Sequence, residues 1–108
     1  MEYLEVGKTG DITEGTMKAY IVQGKDILVG NYGGKYYVIG GKCTHMGVDL
    51  SKGKLDGKIV TCPSHSSKFD ITTGESISGP KMGFLKLKTK NEPSYEVKID
   101  GDTIKVNI

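Results

Sequence analysis

Short alternating segments separated by glycines constrain the fold of this chain most strongly. The sequence contains 16 glycines in 108 residues, and they are spread along its length rather than gathered in a linker. Between them, apolar residues mostly alternate with polar ones or form short runs, which is typical of strands. No window of a dozen residues has the apolar stripe and caps of a helix. The sequence therefore predicts an all-β fold of antiparallel strands in a sandwich or barrel-like arrangement.

Turn-forming pairs place the hairpins of this predicted fold. Further strands are expected at 3–6 and 17–22, and Thr73-Gly74 marks another turn. The three predicted hairpins are 27–39 around Gly33-Gly34, 54–61 around Asp56-Gly57, and 95–108 with its turn at Asp100-Gly101 or Gly101-Asp102.

Length and charge narrow the class of protein. A chain of 108 residues is enough for one domain with a single core. All 15 basic residues are lysine and the net charge is only +2; since arginine is preferred for bidentate recognition of phosphate and guanine, we expect no nucleic-acid partner. The N-terminus does not resemble a secretory signal, and no apolar stretch is long enough to span a bilayer. We therefore expect a cytoplasmic protein.

Both cysteines and both histidines lie within the segment 43–65. Cys43-Thr44-His45 follows the strand predicted at 35–39, and Cys62-Pro63-Ser64-His65 follows the strand predicted at 59–61. Each pair is thus expected in a loop just beyond a strand end, and the Asp56-Gly57 hairpin between them can bring the two loops together. Such strands are the rigid support that a metal site requires.

Four interpretations of these residues are open at this point. The cysteines and histidines are ordinary core and polar residues, or Cys43 and Cys62 form a disulfide, which is unusual in a cytoplasmic chain. Alternatively, the four residues complete a tetrahedral zinc shell, although common zinc signatures pair cysteine with cysteine and histidine with histidine. The fourth interpretation is a mixed-ligand [2Fe–2S] centre, since thiolates suit iron–sulfur sites and imidazole suits iron.

The sequence resembles Rieske [2Fe–2S] proteins, whose ligands are two cysteines and two histidines. The matching motifs are 43–47 (CTHMG) and 62–65 (CPSH), and the resemblance covers about 36–80 well. It extends to residues that follow the two motifs: Leu50, Gly53, Phe69-Asp70, Thr73-Gly74 and Gly79-Pro80. The resemblance implies a Rieske-like antiparallel β-sandwich, one [2Fe–2S] cluster per chain, and two cluster-binding loops in a small subdomain at about 40–82 of a single domain over 1–108.

The resemblance also assigns the ligands. It implies that Cys43 and Cys62 bind the inner iron, and that His45 and His65 bind the outer iron through Nδ1. Replacing two thiolates by neutral imidazoles brings the oxidised cluster from a charge of about −2 to about zero, so that electron uptake costs less.

Departures from the respiratory members of the family indicate which kind of Rieske protein this is. Val48 and Ser64 stand where those members carry a disulfide, so a role as a quinol-oxidising subunit is not expected. By alignment, Ser67 matches a serine whose hydroxyl bonds a bridging sulfide, although it can equally be an ordinary loop residue. Phe69 replaces a tyrosine that bonds a cysteine sulfur. Pro80 resembles the proline of a third loop that shields the cluster, although it can equally be a turn residue after Gly79.

The function that the resemblance implies is one-electron transfer by a soluble ferredoxin, from a reductase to a terminal acceptor such as an oxygenase. The chain is too short for a second catalytic domain and carries no triad, phosphate loop or paired-carboxylate motif, so we expect an electron-transfer protein rather than an enzyme. The alternatives are a redox-bearing small subunit of a larger oxidoreductase and, in another class, a zinc-stabilised binding module. The oligomeric state is not predicted.

Several lysines surround the ligand motifs in the sequence. They are Lys42, Lys52, Lys54, Lys58, Lys68 and Lys81. These side chains either steer an acidic redox partner or serve solubility, and the sequence favours solubility because the lysines are scattered.

Overall fold

The computed structural model describes residues 3–43, 47–63, 67–78, 81–82, 85–86 and 90–108, and strands dominate them. In chain order the strands are β1 (Tyr3–Lys8), β2 (Met17–Val22), β3 (Lys25–Tyr32), β4 (Lys35–Gly40), β5 (Lys54–Asp56), β6 (Ile59–Thr61), β7 (Lys68–Asp70), β8 (Ser76–Ser78), β9 (Lys81–Met82), β10 (Leu85–Lys86), β11 (Ser94–Tyr95), β12 (Val97–Asp100) and β13 (Thr103–Asn107). Single 3₁₀ turns occur at Thr9–Asp11 and Leu50–Lys52.

The strands form antiparallel sheets, which confirms the predicted all-β class. A central sheet has the order β11-β4-β3-β2, and a second sheet has the order β5-β6-β7-β8. The two ends of the chain form a terminal sheet of order β1-β13-β12, and β9 pairs with β10. Among the described residues, no helix has the length and apolar character needed to cross a bilayer.

Strand β3 of the central sheet is buried on both faces, which explains its uninterrupted apolar run. Leu28 faces one cluster of buried side chains, whereas Ile27 and Val29 face the other. The first, which we call the site cluster, contains Leu28, Ile39, Cys43, Leu50, Val60, Cys62, Phe69 and Ile71. The second, which we call the terminal cluster, contains Ile12, Ile27, Val29, Val38, Ile104 and Val106. In a strand that is covered on both faces, successive side chains enter two different cores. The alternation of polar and apolar residues therefore disappears from its sequence.

The three predicted hairpins are present, with one correction. β3 turns into β4 through Gly33-Gly34, β5 turns into β6 through Gly57, and β12 turns into β13 through Gly101-Asp102. The prediction that the last hairpin begins at residue 95 is wrong. Tyr95 belongs to β11, which pairs with β4 in the central sheet, so the chain changes sheets between β11 and β12.

The β3–β4 and β5–β6 turns lie at the strand ends opposite to those that lead to the two cysteines. Tyr32 and Gly33, at the β3–β4 turn, line the same surface depression as Gly57, at the β5–β6 turn. From this end β4 runs toward Cys43 and β6 runs toward Cys62. Both cysteines therefore lie beyond the strand ends remote from the turns, and the prediction that each follows a strand is confirmed.

Gly53 allows the chain after the first cysteine to pass close to β6. Its N–H donates to the carbonyl of Leu50 (3.0 Å), which ends the 3₁₀ turn. A Cβ atom at Gly53 would overlap the backbone carbonyl oxygen of Thr61 and come within 3.2 Å of the Pro63 ring. Since Thr61 and Pro63 flank Cys62, this close approach fixes the second ligand loop against the segment that follows the first.

We expect Gly53→Ala to destabilise the protein by about 1–3 kcal/mol, the usual cost of overpacking, because backbone rather than a flexible side chain must move. Urea unfolding followed by circular dichroism measures the effect. Gly10→Ala is the matched control, since a Cβ atom there meets nothing within 4 Å, and it should change the unfolding free energy by less than about 0.5 kcal/mol. Equal stabilities of the two variants would contradict the proposed close approach.

Candidate metal centre

The loop that follows β4 is closed at its base by backbone hydrogen bonds. The Cys43 N–H donates to the Val48 carbonyl (2.7 Å), and the Gly47 N–H donates to the Cys43 carbonyl (2.8 Å). Gly47 has φ +69°, a left-handed conformation that glycine adopts without a steric penalty. Just outside the loop, Lys42 and Asp49 form an antiparallel bridge. The chain thus leaves β4, makes a tight loop and returns beside its own entry.

The loop that follows β6 is closed in the same way. The Cys62 N–H donates to the carbonyl of Ser67 (2.7 Å), five residues further along the chain. The pair at its base, Thr61 and Lys68, belongs to the β6–β7 ladder. The two cysteines therefore occupy the same first position in two loops that are closed by the same backbone hydrogen bond.

Both cysteine side chains point inward. Cys43 and Cys62 are each 2% exposed and belong to the same site cluster. Both lie in the described part of the chain and no disulfide joins them, so the disulfide interpretation is wrong. Two thiols from different loops in one apolar cluster can bind one soft metal group from the interior side.

Ser67 carries a buried hydroxyl that fits such a group. Its side chain is fully buried, and among the described residues its Oγ has no hydrogen-bond partner. Buried hydroxyls in native proteins almost always have a partner. An inorganic sulfide beside the two cysteines would accept this hydrogen bond, so the residues present fit an iron–sulfur cluster.

Phe69 and Val48 surround the cysteines with apolar surface. Phe69 is fully buried in the site cluster, and its cross-strand partner is Val60. Val48 is partly buried and packs against the same cluster. The aromatic ring thus takes the place that alignment with respiratory members assigns to a tyrosine, beside the cysteines and with no hydroxyl.

Some of the predicted site residues lie outside the described residues. They are His45, His65 and Pro80, together with Ser64. The structure therefore brings together Cys43, Cys62 and Ser67 of the predicted set, and the histidine ligands and the proline stay predictions.

Two aspartates brace the segments around the site, a role that was not predicted from the sequence. The Asp49 carboxylate accepts hydrogen bonds from the N–H and Oγ of Ser51, at 2.9 and 2.7 Å. The Asp70 carboxylate accepts hydrogen bonds from the N–H and Oγ1 of Thr72, at 2.8 and 2.6 Å. The sequence does carry a signal for both turns, because an aspartate two residues before a serine or threonine is typical of an Asx turn.

The environment of Asp70 favours its charged form. Burial raises the pKa of Asp70, but the hydrogen bonds from Thr72 and the charge of Lys58, whose Nζ lies 3.6 Å from the carboxylate, lower it below the usual value. Burial likewise raises the pKa of Asp49, and the Ser51 hydrogen bonds with nearby lysine charges more than offset it. Both carboxylates are thus stabilised as anions in the folded protein.

Comparison with known proteins agrees with this geometry. The family model described as "Rieske [2Fe-2S] domain" matches residues 2–102. The ferredoxin component of the naphthalene 1,2-dioxygenase system of Pseudomonas putida is 29% identical over 108 residues, which cover 100% of this chain and 97% of the relative. The ferredoxin component of the naphthalene 1,2-dioxygenase/salicylate 5-hydroxylase systems of Ralstonia sp. is 32% identical over 98 residues, which cover 91% of this chain and 88% of the relative.

A solved structure has the same fold. One chain of the complex of reduced oxygenase and oxidized ferredoxin in carbazole 1,9a-dioxygenase superposes with a TM-score of 0.82 at 28% identity, and the match covers 96% of this chain and 100% of that chain.

Fold and site together define an all-β protein with two cysteine-bearing loops for an iron–sulfur cluster. The chain belongs to the Rieske [2Fe–2S] domain family. The predicted resemblance, the Rieske-like antiparallel fold and the single [2Fe–2S] cluster are confirmed. Like the ferredoxin components that it resembles, the protein is a one-electron carrier and not a catalytic enzyme.

The lowered pKa of Asp70 predicts how stability depends on pH. Its stabilisation is present above the unfolded pKa of about 3.9 and is lost as pH falls through the lower folded value. We expect Asp70→Asn to be less stable at neutral pH and to lose less stability than the wild type on acidification below about pH 4. Urea unfolding at a series of pH values measures this.

Thr72→Val is the graded control for this prediction. This variant removes the hydroxyl donor and keeps the backbone donor. Its unfolding free energy, and the dependence of that free energy on pH, should therefore lie between those of the wild type and Asp70→Asn. Parallel pH profiles for all three proteins would refute the role of the carboxylate.

Proposed function

We propose that Cys43, His45, Cys62 and His65 hold the [2Fe–2S] cluster, with both cysteines on the inner iron and both histidines on the outer iron. The observation that supports this most directly is the matched pair of loops. Each begins with a buried cysteine whose N–H closes the loop five residues on, at 2.7 Å in both cases. His45 lies two residues after its cysteine and His65 three residues after its own, within the spans that these hydrogen bonds enclose.

We propose that the chain is a single domain over 1–108, with a cluster-binding subdomain at about 40–82. Three features support the proposal. The sheet β5-β6-β7-β8 lies wholly within that range, both cysteines do, and the site cluster joins this sheet to the central sheet through Leu28 and Ile39. Pro80, the last predicted site residue, follows this sheet in sequence and is proposed to cover the cluster.

Each neighbouring residue has a role that its position supports. The bound cluster supplies one-electron oxidation and reduction. Leu50, Val60 and Phe69 exclude water from the thiolates, which lowers the local dielectric constant. The Ser67 hydroxyl, which has no partner among the described residues, would donate a hydrogen bond toward the bound cluster and thereby stabilise added negative charge. Phe69 offers no such donor.

We propose that the protein passes single electrons from a reductase to a terminal oxygenase in the cytoplasm. The support is similarity to ferredoxin components of dioxygenase systems, over nearly the whole length of both proteins. The matching structure is a complex between an oxygenase and its ferredoxin. A disulfide of the respiratory type cannot form here, since only two cysteines are present, so we expect a potential in the lower half of the Rieske range of about −150 to +300 mV.

We expect Cys43→Ser and Cys62→Ser to abolish cluster assembly, because each removes an anionic soft ligand from the inner iron. The wild type should be reddish brown and contain about two irons and two acid-labile sulfides per chain. Metal analysis, sulfide analysis and the visible spectrum measure this.

Thr44→Ala and Ser64→Ala are the matched controls, since they alter the same loops without removing a proposed ligand, and they should assemble the cluster. One zinc and no iron in the wild type would identify the zinc-stabilised module instead. A native cluster spectrum in either cysteine variant would overturn the ligand assignment.

We expect Ser67→Ala to lower the reduction potential by some tens of millivolts, and Phe69→Tyr to raise it where the new hydroxyl reaches a cysteine sulfur. A hydrogen bond to a charged acceptor is worth about 1.5–3 kcal/mol, and only the difference between oxidation states shifts the potential. Direct-electrode voltammetry measures both effects. Ser94→Ala, an exposed serine on β11, is the control. A Ser67→Ala potential equal to the control would show that Ser67 makes no such bond.

A further inference from the structure

The positive charge of the chain is concentrated in the segment that carries the ligand loops. Residues 40–82 include six lysines and four acidic residues, whereas the rest of the chain has nine of each. The net charge of +2 therefore comes wholly from this segment. Two of its four carboxylates, Asp49 and Asp70, accept hydrogen bonds from residues of their own turns, and Asp70 is buried.

Strand register places two of these lysines at the mouth of the second ligand loop. Lys54 pairs with Thr61 and Lys68 pairs with Thr61, so all three side chains project from the same face of the sheet. The opposite face carries the buried side chains of Val60 and Phe69. With strands about 4.8 Å apart, the two lysine backbones lie about 10 Å from each other on either side of the residue that precedes Cys62.

The charge changes sign along this face. One row further from the ligand loop, toward the hairpin turns, Ile59 is flanked by Asp56 and Asp70. Lys54 and Lys68 lie on the two strands that flank β6, and so do Asp56 and Asp70, so no lysine stands directly opposite an aspartate in these rows. The strand register therefore places positive charge at the ligand-loop end of this face.

Two further lysines flank the first ligand loop. Lys42 immediately precedes Cys43, and Lys52 ends the 3₁₀ turn after that loop; both are exposed. The carboxylates described near this end include Asp26, whose backbone carbonyl accepts from the Gly41 N–H, Glu92, whose side chain lies against Gly40, and Asp49. Asp49 pairs with Lys42 in a β-bridge, and the charges of Lys42 and Lys52 lower its pKa. Within the described part of the chain, no ion pair within 4 Å joins Asp49 to either lysine.

We propose that Lys42, Lys52, Lys54 and Lys68, which we call the basic collar, dock an acidic surface of the redox partner over the two ligand loops. This inference rests on the proposed function. Because the collar lies at the mouths of both loops, it brings a partner to the end of the molecule where the cluster is held. Charges in this position accelerate and orient the encounter with the partner, and this effect weakens as salt is added.

The first test uses small acceptors of opposite charge in place of the partner. One electron passes from the reduced protein to ferricyanide, giving ferrocyanide, or to hexaammineruthenium(III), giving hexaammineruthenium(II), and no bond is made or broken. Stopped-flow rates at about 0.1 M ionic strength should fall at least about fivefold with ferricyanide in Lys54→Glu/Lys68→Glu, and rise with the ruthenium complex. High salt should remove both differences.

The control is Lys35→Glu/Lys98→Glu, which changes the net charge equally. Lys35 lies at the β3–β4 turn, remote from the ligand loops, and Lys98 lies in the terminal sheet. Since charges further away than the Debye length of about 10 Å are screened, the control should stay within about twofold of the wild type. Equal changes of the electron-transfer rates in the two double variants, or no change in the collar variant, would overturn the proposed role of the basic collar.

A second readout does not depend on electron transfer. Hexacyanochromate(III), a paramagnetic and redox-inert trianion, should broaden the NMR signals of the collar lysines more than those of Lys35 and Lys98, and the collar variant should lose the effect. Failure of the reduced protein to react with any acceptor would refute the proposed function. Uniform broadening over the whole surface would instead refute the collar.

Discussion

The hydrogen bond from each cysteine N–H to the carbonyl five residues on is the constraint on which the site depends. It closes both loops at their base, and the cysteine that begins each loop points into the apolar interior. At the base of each loop, two residues pair in antiparallel β geometry: Lys42 with Asp49 in the first loop, and Thr61 with Lys68 in the second. Two loops closed alike can therefore offer one thiol each to a shared group.

Packing between the sheets adds the second constraint. Gly53 lets the segment after the first loop pass against Thr61, and Gly30 lets β3 approach Ile71, where a Cβ atom would come within 2.8 Å of the side chain. Both cysteines then share one cluster with Leu50, Val60 and Phe69. An apolar shell of this kind suits a cluster with two neutral imidazole ligands, because a nearly neutral oxidised centre costs less to bury than a dianion.

Much of this arrangement was predictable from the sequence, and the exceptions have physical reasons. Gly33-Gly34 and Asp56-Gly57 predicted two of the hairpins because left-handed turn positions favour glycine, which has no Cβ atom. The placement of Tyr95 in the last hairpin was wrong because alternation is equally compatible with pairing to β4, and only tertiary contacts decide between the two. The Asx turn at Asp70 has a signal in the sequence, but the ion pair of Asp70 with Lys58 does not, because the β6–β7 pairing brings these two residues together.

The cysteine motifs predicted the cluster, whereas sequence could not establish the electrostatic pattern around it. Scattered lysines favoured solubility, yet the register aligns Lys54 and Lys68 on one face and separates them from the acidic row at Asp56 and Asp70. Strand pairing, not sequence spacing, determines that pattern. The fold therefore adds to a recognisable ligand set both a sealed interior for the thiolates and a charged exterior at the same end.

The central claim is that one cluster is held by two cysteines from inside and two histidines from outside, and pulsed EPR of the reduced protein tests it most directly. In a sample grown with ¹⁵N-labelled histidine, the unpaired electron should couple strongly to two directly bound nitrogens, and the couplings should change by the ratio expected for ¹⁴N and ¹⁵N. A cluster signal without strong histidine nitrogen couplings, or unchanged by the label, would contradict the account.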